Sequence, residues 1–285
     1  MHGRVCLVTG GTSGIGKATA MALAKMGATV VIGGRNPGKG QAVLAEIKQA
    51  SGNASVDLLL ADLSSQQAIR QLAKDFQEKY QQLHVLLNCA GITVSKRQVT
   101  ADGLERTFAV NHLAYFLLTH LLLDILKASA PSRIVNVSSA VQSGGHINFE
   151  DLQGEKSYNT MRAYAQSKLA NALFTYELAR RLSGSGVTVN CLHPGFVASN
   201  FGSDAGGLFA SAIKIAKLFA ISPEKGAATA IYLASSPEVE GISGKYFIKC
   251  KEAKSSPESY NEAIRQRLWE VSAELTGQST SSYSK

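Results

Sequence analysis

Short apolar runs rich in Val, Leu and Ile alternate along this chain with longer segments in which apolar residues recur at helical spacing. Such short runs are typical of buried β-strands, and the longer periodic segments are typical of amphipathic helices. The runs predict seven strands, at Val5–Val8, Thr29–Ile32, Ser55–Leu60, His84–Leu87, Arg133–Val137, Val187–Leu192 and Tyr246–Ile248. The segments between them predict six helices, at Ile15–Met26, Gly38–Gln49, Ser65–Tyr80, Gly103–Lys127, Met161–Leu182 and Pro223–Ala234.

Strands that alternate with helices of this length predict a mainly parallel sheet with helices on both faces. Because crossovers between parallel strands are right-handed, we expect a doubly wound α/β fold of the Rossmann type, with seven strands in one sheet. No internal repeat and no linker rich in Pro or Ser divides the chain, so we expect a single domain over residues 1–275. The Ser-rich residues 276–285 are expected to form a disordered tail. The extra apolar segment within residues 200–221 is expected to be a substrate lid, the alternative being an ordinary core-packing helix.

The composition is that of an ordinary globular protein. The 285 residues are 45% hydrophobic and 18% charged, and 29 basic against 21 acidic residues leave a formal net charge of +8. Lys and Arg are interleaved with acids, and no run of five like charges appears. The lack of a basic stripe argues against a nucleic-acid partner, while the surplus of positive charge is compatible with an anionic cofactor.

The cysteines and the apolar stretches indicate where in the cell the protein is expected to be found. The four cysteines lie far apart, at Cys6, Cys89, Cys191 and Cys250. Neither metal-ligand spacing nor a disulfide framework is present, so we expect no metal site and a reducing compartment. A strand beginning at Val5 leaves no room for a signal peptide before it. The longest apolar stretch, 14 residues from Leu113 to Leu126, is too short to span a bilayer. These features predict a soluble, cytoplasmic protein.

A glycine-rich turn follows the first predicted strand, at Thr9–Gly16. Its glycines allow a tight turn and a close backbone approach to a pyrophosphate, which the N-terminus of the next helix would then bind. The spacing is wider than the usual dinucleotide fingerprint, so the turn alone could be a chance loop. Its position between a Val-rich strand and a helix favours a nucleotide. The residues expected to contact it are Gly10, Thr12, Ser13, Gly14, Ile15 and Gly16.

The end of the second predicted strand distinguishes between the two nicotinamide cofactors. Where an NAD site would carry an acid for the ribose hydroxyls, this chain has Gly34 followed by Arg35. A guanidinium suits a phosphate, so we predict NADP(H), the alternative being a surface arginine before Pro37. The ends of the third and fourth strands are also expected to run beside the cofactor, through Asp62, Leu63, Asn88, Ala90 and Gly91.

Three side chains suit hydride chemistry at a carbonyl or alcohol. Tyr164 and Lys168 are four residues apart, and therefore on one helical face. The phenol can give a proton to the developing oxyanion, and the ammonium is expected to bring the phenol pKa down from about 10 and to bond the nicotinamide ribose. Ser139, at the end of the fifth strand, can donate to the same oxygen. Each of these residues alone has an ordinary explanation, a solvated helix face or a turn. Their occurrence in this order after the glycine-rich turn favours a catalytic role.

Several motifs occur here in the order found in the short-chain dehydrogenase/reductase family, which the chain resembles over nearly its full length. They are Thr9–Gly16, Asp62-Leu63, Asn88–Gly91, Val110-Asn111-His112, Asn136–Ser139, Tyr164–Lys168 and Pro194-Gly195. The resemblance implies a catalytic tetrad of Asn111, Ser139, Tyr164 and Lys168, in which Asn111 holds a water that relays protons from Lys168. It also implies that the nicotinamide is covered by Pro194, Gly195, Val197 and Ser199.

Two features depart from the commonest family pattern. Cys89 stands where a second Asn is frequent, and the interval from Ser139 to Tyr164 is about twice the usual one. The longer interval resembles the retinol dehydrogenase and protochlorophyllide reductase-like branch, as do Leu192–Gly195, Ser243–Phe247 and Arg267–Trp269. His193 is interpreted as structural.

These features predict an NADPH-preferring reductase of aldehydes or ketones that also runs in reverse, with an apolar retinoid or lipid-derived substrate. Two alternatives remain open: a non-catalytic NADP(H) sensor on the same fold, and a protein that binds a membrane surface or a partner through the basic, apolar Leu208–Phe219. Peripheral membrane contact through 208–219 and a homodimer are also compatible with the enzyme.

Overall fold

The computed structural model describes residues 1–196 and 221–279. An eight-stranded sheet forms its centre. The strands are β1 (Val5–Thr9), β2 (Thr29–Gly34), β3 (Val56–Leu60), β4 (Val85–Asn88), β5 (Ser132–Val137), β6 (Val187–His193), β7 (Lys245–Ile248) and β8 (Lys251–Ala253). The helices described are α1 (Gly14–Lys25), α2 (Pro37–Ser51), α3 (Gln66–Lys79), α4 (Arg106–Phe108), α5 (Ala114–Leu121), α6 (Leu123–Ala128), α7 (Thr160–Arg181), α8 (Pro223–Ser235) and α9 (Glu262–Thr276).

The strand order places a crevice in the middle of the sheet. The order is β3-β2-β1-β4-β5-β6-β7-β8, and neighbouring strands from β3 to β7 pair in parallel. The chain builds outward from β1 to β3, returns to the middle, and builds outward again from β4. The predicted doubly wound α/β fold is therefore confirmed. In such sheets ligands bind where the order reverses, which here is between the carboxyl ends of β1 and β4.

The prediction of seven strands was one too few. β8 pairs antiparallel with β7, with Ile248 opposite Lys251. The two residues between them, Lys249 and Cys250, have φ values of 50° and 60°, and positive φ is typical of the tightest hairpin turns. Since β8 has only three residues, two of them exposed, no apolar alternation could reveal it.

Helices cover both faces of the sheet because successive side chains of a strand point to opposite faces. On β1, Leu7 belongs to the core shared with α3, α5, α7 and α9, whereas Val8 belongs to the core shared with α1, α2 and α8. Both side chains are completely buried. This layering directs the carboxyl ends of the strands and the starts of the following helices to one edge of the molecule.

Helix α9 was not predicted. Two of its five buried side chains, Ser272 and Thr276, are polar, which weakens the apolar periodicity. Thr276, the first residue of the predicted tail, is instead the last residue of α9 and is fully buried. Residues 280–285 of that tail lie outside the described residues.

The single helix predicted at Gly103–Lys127 is divided in the structure. Helical backbone begins at Arg106, after the capping carboxylate of Glu105. α4 leads into a π-helical turn, Ala109–Leu113, which is followed by α5 and α6. The spacing of apolar residues does not show that one helical turn holds an extra residue, so the π-helical turn was not predicted from the sequence. Such turns are frequent at functional sites.

Candidate active site

The glycine-rich turn after β1 is tightly packed between α1 and the loop after β4. Gly10 has a φ of +66°, and a Cβ added there would lie 2.9 Å from the Cα of Ala90. A Cβ at Gly16 would overlap the carbonyl oxygen of Gly10. Glycine is therefore required where the three segments meet at the reversal of strand order.

The first turn of α1 is open to an anion. Ser13, its N-cap residue, makes no side-chain cap hydrogen bond, and the turn has no acidic residue. Backbone N–H groups at a helix N-terminus attract phosphate through their dipoles. Gly14 and Ile15 belong to this turn and Thr12 precedes its N-cap, so the predicted phosphate-binding residues lie together.

Arg35 and Asp62 lie near each other at the ends of β2 and β3. Both are exposed. Burial by itself would raise the pKa of Asp62, but hydrogen bonds from the Ser64 amide and hydroxyl, and the positive charge of Arg35, bring it below its ordinary value. Leu63 is partly buried against the apolar core. The predicted phosphate partner Arg35 therefore stands in the open, beside a carboxylate that is already hydrogen-bonded.

The loop after β4 is held in place by two hydroxyl groups. The Thr9 hydroxyl accepts hydrogen bonds from the Cys89 and Ala90 N–H groups at 3.0 and 3.4 Å. The Tyr115 hydroxyl donates to the Ala90 carbonyl at 2.7 Å. Asn88, by contrast, is fully buried, and its amide nitrogen donates to Thr119 and Asn136 beneath the sheet edge. The backbone of this loop, rather than the Asn88 side chain, faces the crevice.

Tyr164, Lys168 and Ser139 form a cluster at the carboxyl edge of β5. The Lys168 ammonium nitrogen lies 5.7 Å from the centre of the Tyr164 ring and donates to the Val137 carbonyl at 3.1 Å. A side-chain hydrogen bond joins Tyr164 to Ser139. The structure thus brings together three of the four residues that the sequence predicts to be catalytic.

Burial dominates the titration of this cluster. It raises the pKa of Tyr164 above its ordinary value, against the opposing hydrogen bond to Ser139. It lowers the pKa of Lys168 to about 8. The expectation that Lys168 would bring the Tyr164 pKa down is therefore not met, because the loss of water around the phenol outweighs the opposing hydrogen bond to Ser139. Tyr164 consequently carries its proton, as a proton donor must.

Asn111 lies in the π turn and connects the loop after β4 to α7. Its amide oxygen accepts from the Ile92 N–H group at 2.8 Å, and its amide nitrogen donates to the Ile92 carbonyl and the Ser167 hydroxyl, both at 3.0 Å. A Cβ at Gly91 would lie 3.4 Å from the Lys168 ammonium nitrogen and 3.6 Å from the Asn111 amide oxygen. Asn111 is thus the fourth member of the cluster by position, while the water relay remains a prediction.

The segment after β6 borders the site from the other side. Gly195 has a φ of +88°, and the Phe196 carbonyl accepts from the Ile221 N–H group at 2.8 Å. His193 accepts from the Ala140 N–H group at 3.0 Å, which agrees with its structural interpretation. Val197 and Ser199, and all of the predicted lid at 200–221 except Ile221, lie outside the described residues.

The residues that anchor the long interval between Ser139 and Tyr164 were not predicted from the sequence. Gln166, inside the Tyr164–Lys168 motif, accepts from the Asn148 N–H group and donates to the Leu152 carbonyl, both at 3.0 Å. Gln153 accepts from the Glu105 N–H group at 2.7 Å. Hydrogen bonds therefore connect the interval both to α7 and to the start of α4. Gln166 could have been noticed because it lies within the Tyr164–Lys168 motif. Nothing in the sequence indicated the groups that it bonds.

A cavity of about 940 Å³ lies at the opposite, amino-terminal edge of the sheet and includes Arg4, His84 and Arg133. The Arg4 and Arg133 guanidinium groups already bond backbone carbonyls there. None of the predicted site residues lines it. Within residues 1–196 and 221–279, no group of three or more His, Cys, Asp or Glu is placed to hold a metal ion.

The fold and the cluster define an oxidoreductase with a nicotinamide-type cofactor site at the strand reversal. Residues 4–206 match the family model described as short chain dehydrogenase. Retinol dehydrogenase 11 of Homo sapiens is 47% identical over 283 residues, which cover 97% of this chain and 87% of that protein. The chain belongs to the short-chain dehydrogenase/reductase family, in its retinol dehydrogenase branch, and is an oxidoreductase acting on a small molecule with NAD(P)(H).

Solved structures agree with this assignment. The crystal structure of an uncharacterised protein from Mycobacterium Paratuberculosis has a TM-score of 0.79 and 30% identity, covering 97% of this chain and 94% of that one. A short chain dehydrogenase from Burkholderia cenocepacia J2315, solved in complex with NADP, has a TM-score of 0.69 and 30% identity, covering 86% of this chain and 96% of that one. In the described part of our chain, no helix is both long and apolar enough to cross a membrane.

Proposed function

We propose that this protein is an NADPH-preferring reductase of apolar aldehydes or ketones, with retinoids or lipid-derived carbonyls as substrates, and that it also oxidises the corresponding alcohols. The observation that carries the proposal is the cluster of Ser139, Tyr164 and Lys168 beside a glycine cradle at the strand reversal. A proton donor and a dinucleotide cradle at one edge of the sheet suit hydride transfer.

The residues present fit the cofactor. The close packing at Gly10 and Gly16 leaves no room for a Cβ, and the open first turn of α1 suits a pyrophosphate. Lys168 would bond the nicotinamide ribose. When bound, NADP(H) supplies or accepts the hydride.

The side chains of this chain perform the proton chemistry. Ser139 and Tyr164 donate hydrogen bonds to the substrate oxygen, and Tyr164 gives up its proton as negative charge develops on that oxygen. The nearby Lys168 ammonium stabilises the phenolate that results. In alcohol oxidation the same groups act in reverse.

The preference for the phosphorylated cofactor rests on Arg35 and on the absence of an acid at Gly34. A planar guanidinium can donate two charge-assisted hydrogen bonds to a 2′-phosphate. The NADP complex of the Burkholderia relative supports this preference.

The apolar substrate rests on the relatives and on the sequence of the predicted lid. Retinol dehydrogenase 11 is named for a retinoid alcohol, and residues 208–219 supply apolar side chains with two lysines. A cytoplasmic location, membrane contact through 208–219 and a homodimer remain predictions. Co-sedimentation with liposomes in the absence of cofactor tests the membrane contact.

The proposal is tested with Tyr164→Phe on a panel of retinoid, long-chain and short-chain carbonyls with NADPH and NADH. We expect a loss of at least about 100-fold in kcat, because the proton donor is removed, and an almost unchanged Kd for NADPH. Tyr232→Phe, on α8, removes a hydroxyl that bonds the Glu238 carboxylate; it is the matched control and should retain full activity. A Tyr164→Phe protein with more than about a tenth of the wild-type rate overturns the mechanism.

The principal alternative, a non-catalytic NADP(H) sensor, gives a different result on the same panel. A sensor binds NADPH but turns over none of the carbonyls. The intact cluster argues against it, because a sensor has no need of a buried proton donor.

A further inference from the structure

The Lys168 ammonium lies between two tyrosine rings. Its nitrogen is 5.7 Å from the centre of the Tyr164 ring and 5.8 Å from the centre of the Tyr115 ring. Tyr164 belongs to the same helix and to the proposed mechanism. Tyr115 comes from the first turn of α5 and belongs to none of the motifs found in the sequence.

Tyr115 also touches the loop that borders the cofactor crevice. Its side chain is almost fully buried, with 1% exposure, and its hydroxyl donates to the Ala90 carbonyl at 2.7 Å. Ala90 is the residue against which Gly10 is packed. One side chain therefore joins the lysine of the cluster to the wall of the glycine cradle.

The surroundings of Lys168 offer its charge little other support. Lys168 is only 3% exposed, and the Val137 carbonyl accepts one of its hydrogen bonds. None of the ion pairs among the described residues includes it. A buried ammonium is costly unless polar or aromatic groups replace its water.

The titratable groups that face the ammonium are neutral near pH 7. The Cys89 thiol, after β4, has its pKa raised to about 12 by burial. Burial also raises the pKa of Tyr115, on α5, and that of Tyr164, on α7. The amide of Asn111, from the π turn, carries no charge. The negative faces of the two rings are thus the contacts that favour the charged lysine on these sides.

We propose that Tyr115 is a positioning residue with two separable roles: its ring face keeps Lys168 charged and in place, and its hydroxyl fixes the Ala90 carbonyl at the cofactor crevice. The proposal deepens the proposed function and rests on it, since it assigns how Lys168 and the cradle are held for NADPH. Tyr115 would act through Lys168 and Ala90, and not directly on the substrate or the reacting atoms.

The role of the Tyr115 ring is tested with side chains that keep its shape. Tyr115→Phe keeps the aromatic face, and 3,4,5-trifluorophenylalanine at position 115 keeps the shape but removes most of the negative potential of that face. Lysine labelled with ¹³C at the ε carbon reports the titration of Lys168, whose resonance is assigned by its loss in Lys168→Met. We expect a titration midpoint lower by roughly 0.5 to 1.5 pH units in the fluorinated protein than in Tyr115→Phe. Equal midpoints, or a higher one, overturn the role of the ring.

The hydroxyl is tested by cofactor binding. Tyr115→Phe leaves the Ala90 carbonyl without its donor, and a lost neutral hydrogen bond corresponds to roughly a 2- to 10-fold change in affinity. We expect the Kd for NADPH to rise by that factor while the Lys168 midpoint stays within a few tenths of a unit of wild type. An unchanged Kd overturns the role of the hydroxyl. Should Tyr115→Phe fail to fold, 3-fluorotyrosine at position 115 keeps the hydroxyl and must still lower the midpoint.

The failure of this inference and that of the proposed function are distinguishable. The titration of Lys168 needs neither cofactor nor turnover, so it tests the ring contact even if no carbonyl is reduced. Conversely, an active enzyme whose Lys168 midpoint does not change with fluorination keeps the proposed function and overturns only the role of the Tyr115 ring.

Discussion

Two titratable side chains, Tyr164 and Lys168, share one buried environment at the carboxyl edge of the sheet. Burial favours the neutral form of each, so it raises the pKa of the phenol and lowers that of the ammonium to about 8. The phenol therefore holds its proton at all physiological pH values. The lysine titrates close to the working range, so the charge proposed to bind the cofactor would depend on pH.

This titration predicts a pH dependence of cofactor binding. Lys168 carries its ammonium below about pH 8 in the free enzyme and loses it as the pH rises through that value. We expect the affinity for NADPH to fall about tenfold between pH 7 and pH 9, as a charge-assisted bond is lost. In Lys168→Arg, whose guanidinium stays charged, the affinity should be flat over that range. A parallel decline in both proteins, measured by fluorescence titration, would assign the pH dependence to another group.

Arg35 gives a second prediction at the residue scale. Arg35→Asp replaces a phosphate partner with a repelling charge, so NADPH should bind roughly 10- to 150-fold more weakly and the ratio of NADPH to NADH affinity should fall. Lys25→Asp, the same charge change at the far end of α1, is the control and should leave the ratio unchanged. If Arg35→Asp also leaves it unchanged, the phosphate binds elsewhere.

At the scale of elements, α9 supports the two helices that carry Tyr115 and Tyr164. The Trp269 ring lies 5.0 Å from that of Phe116 on α5 and 6.0 Å from that of Phe174 on α7, measured between centres. The buried Glu177 carboxylate on α7 accepts from Arg180 and Arg181 at 2.7 and 2.8 Å, and the Arg181 guanidinium lies 4.3 Å above the Trp269 ring.

We therefore expect Trp269→Ala to destabilise the protein by about 3–5 kcal/mol, the range for truncation of a buried aromatic side chain. Urea denaturation measures this free energy. Glu270→Ala removes the neighbouring, exposed side chain of the same helix and should change stability by less than about 0.5 kcal/mol. Equal small effects of the two substitutions would show that α9 is not part of the cooperative core.

At the scale of the whole molecule, the cofactor would bridge the two halves of the sheet at the loops after β1 and β4. Binding to the folded state alone raises stability, by about 2.7 kcal/mol at 100 times the Kd. Gly10→Ala should abolish this rise in the unfolding temperature with NADPH, because the added Cβ would lie 2.9 Å from the Cα of Ala90.

The control for this prediction is Gly144→Ala, where a Cβ would meet nothing within 4 Å. It should keep the full shift with NADPH. A normal shift in Gly10→Ala would mean that the cofactor does not use the predicted cradle.

Part of the site was predictable because its residues follow one another at local spacings. Tyr164 and Lys168 are one helical turn apart, and Ser139 and Ala90 follow apolar strands, so a parallel sheet must bring them to one edge. The partners that hold them are far away in sequence. Tyr115, Glu105 and the contacts of Gln166 come from packing between elements, and no spacing along the chain indicates them.

The sequence by itself determined the alternation of strands and helices from the first strand to the seventh, the glycine-rich turn and the set of residues predicted to be catalytic, because apolar periodicity and short motifs are local properties. The tertiary structure alone decided the eighth strand and helix α9, whose side chains lack a clear apolar pattern. It also decided the direction of the Tyr164 pKa and the contact of Tyr115 with Lys168. Both depend on how much water the assembled helices exclude, and desolvation is a property of the folded neighbourhood rather than of any segment.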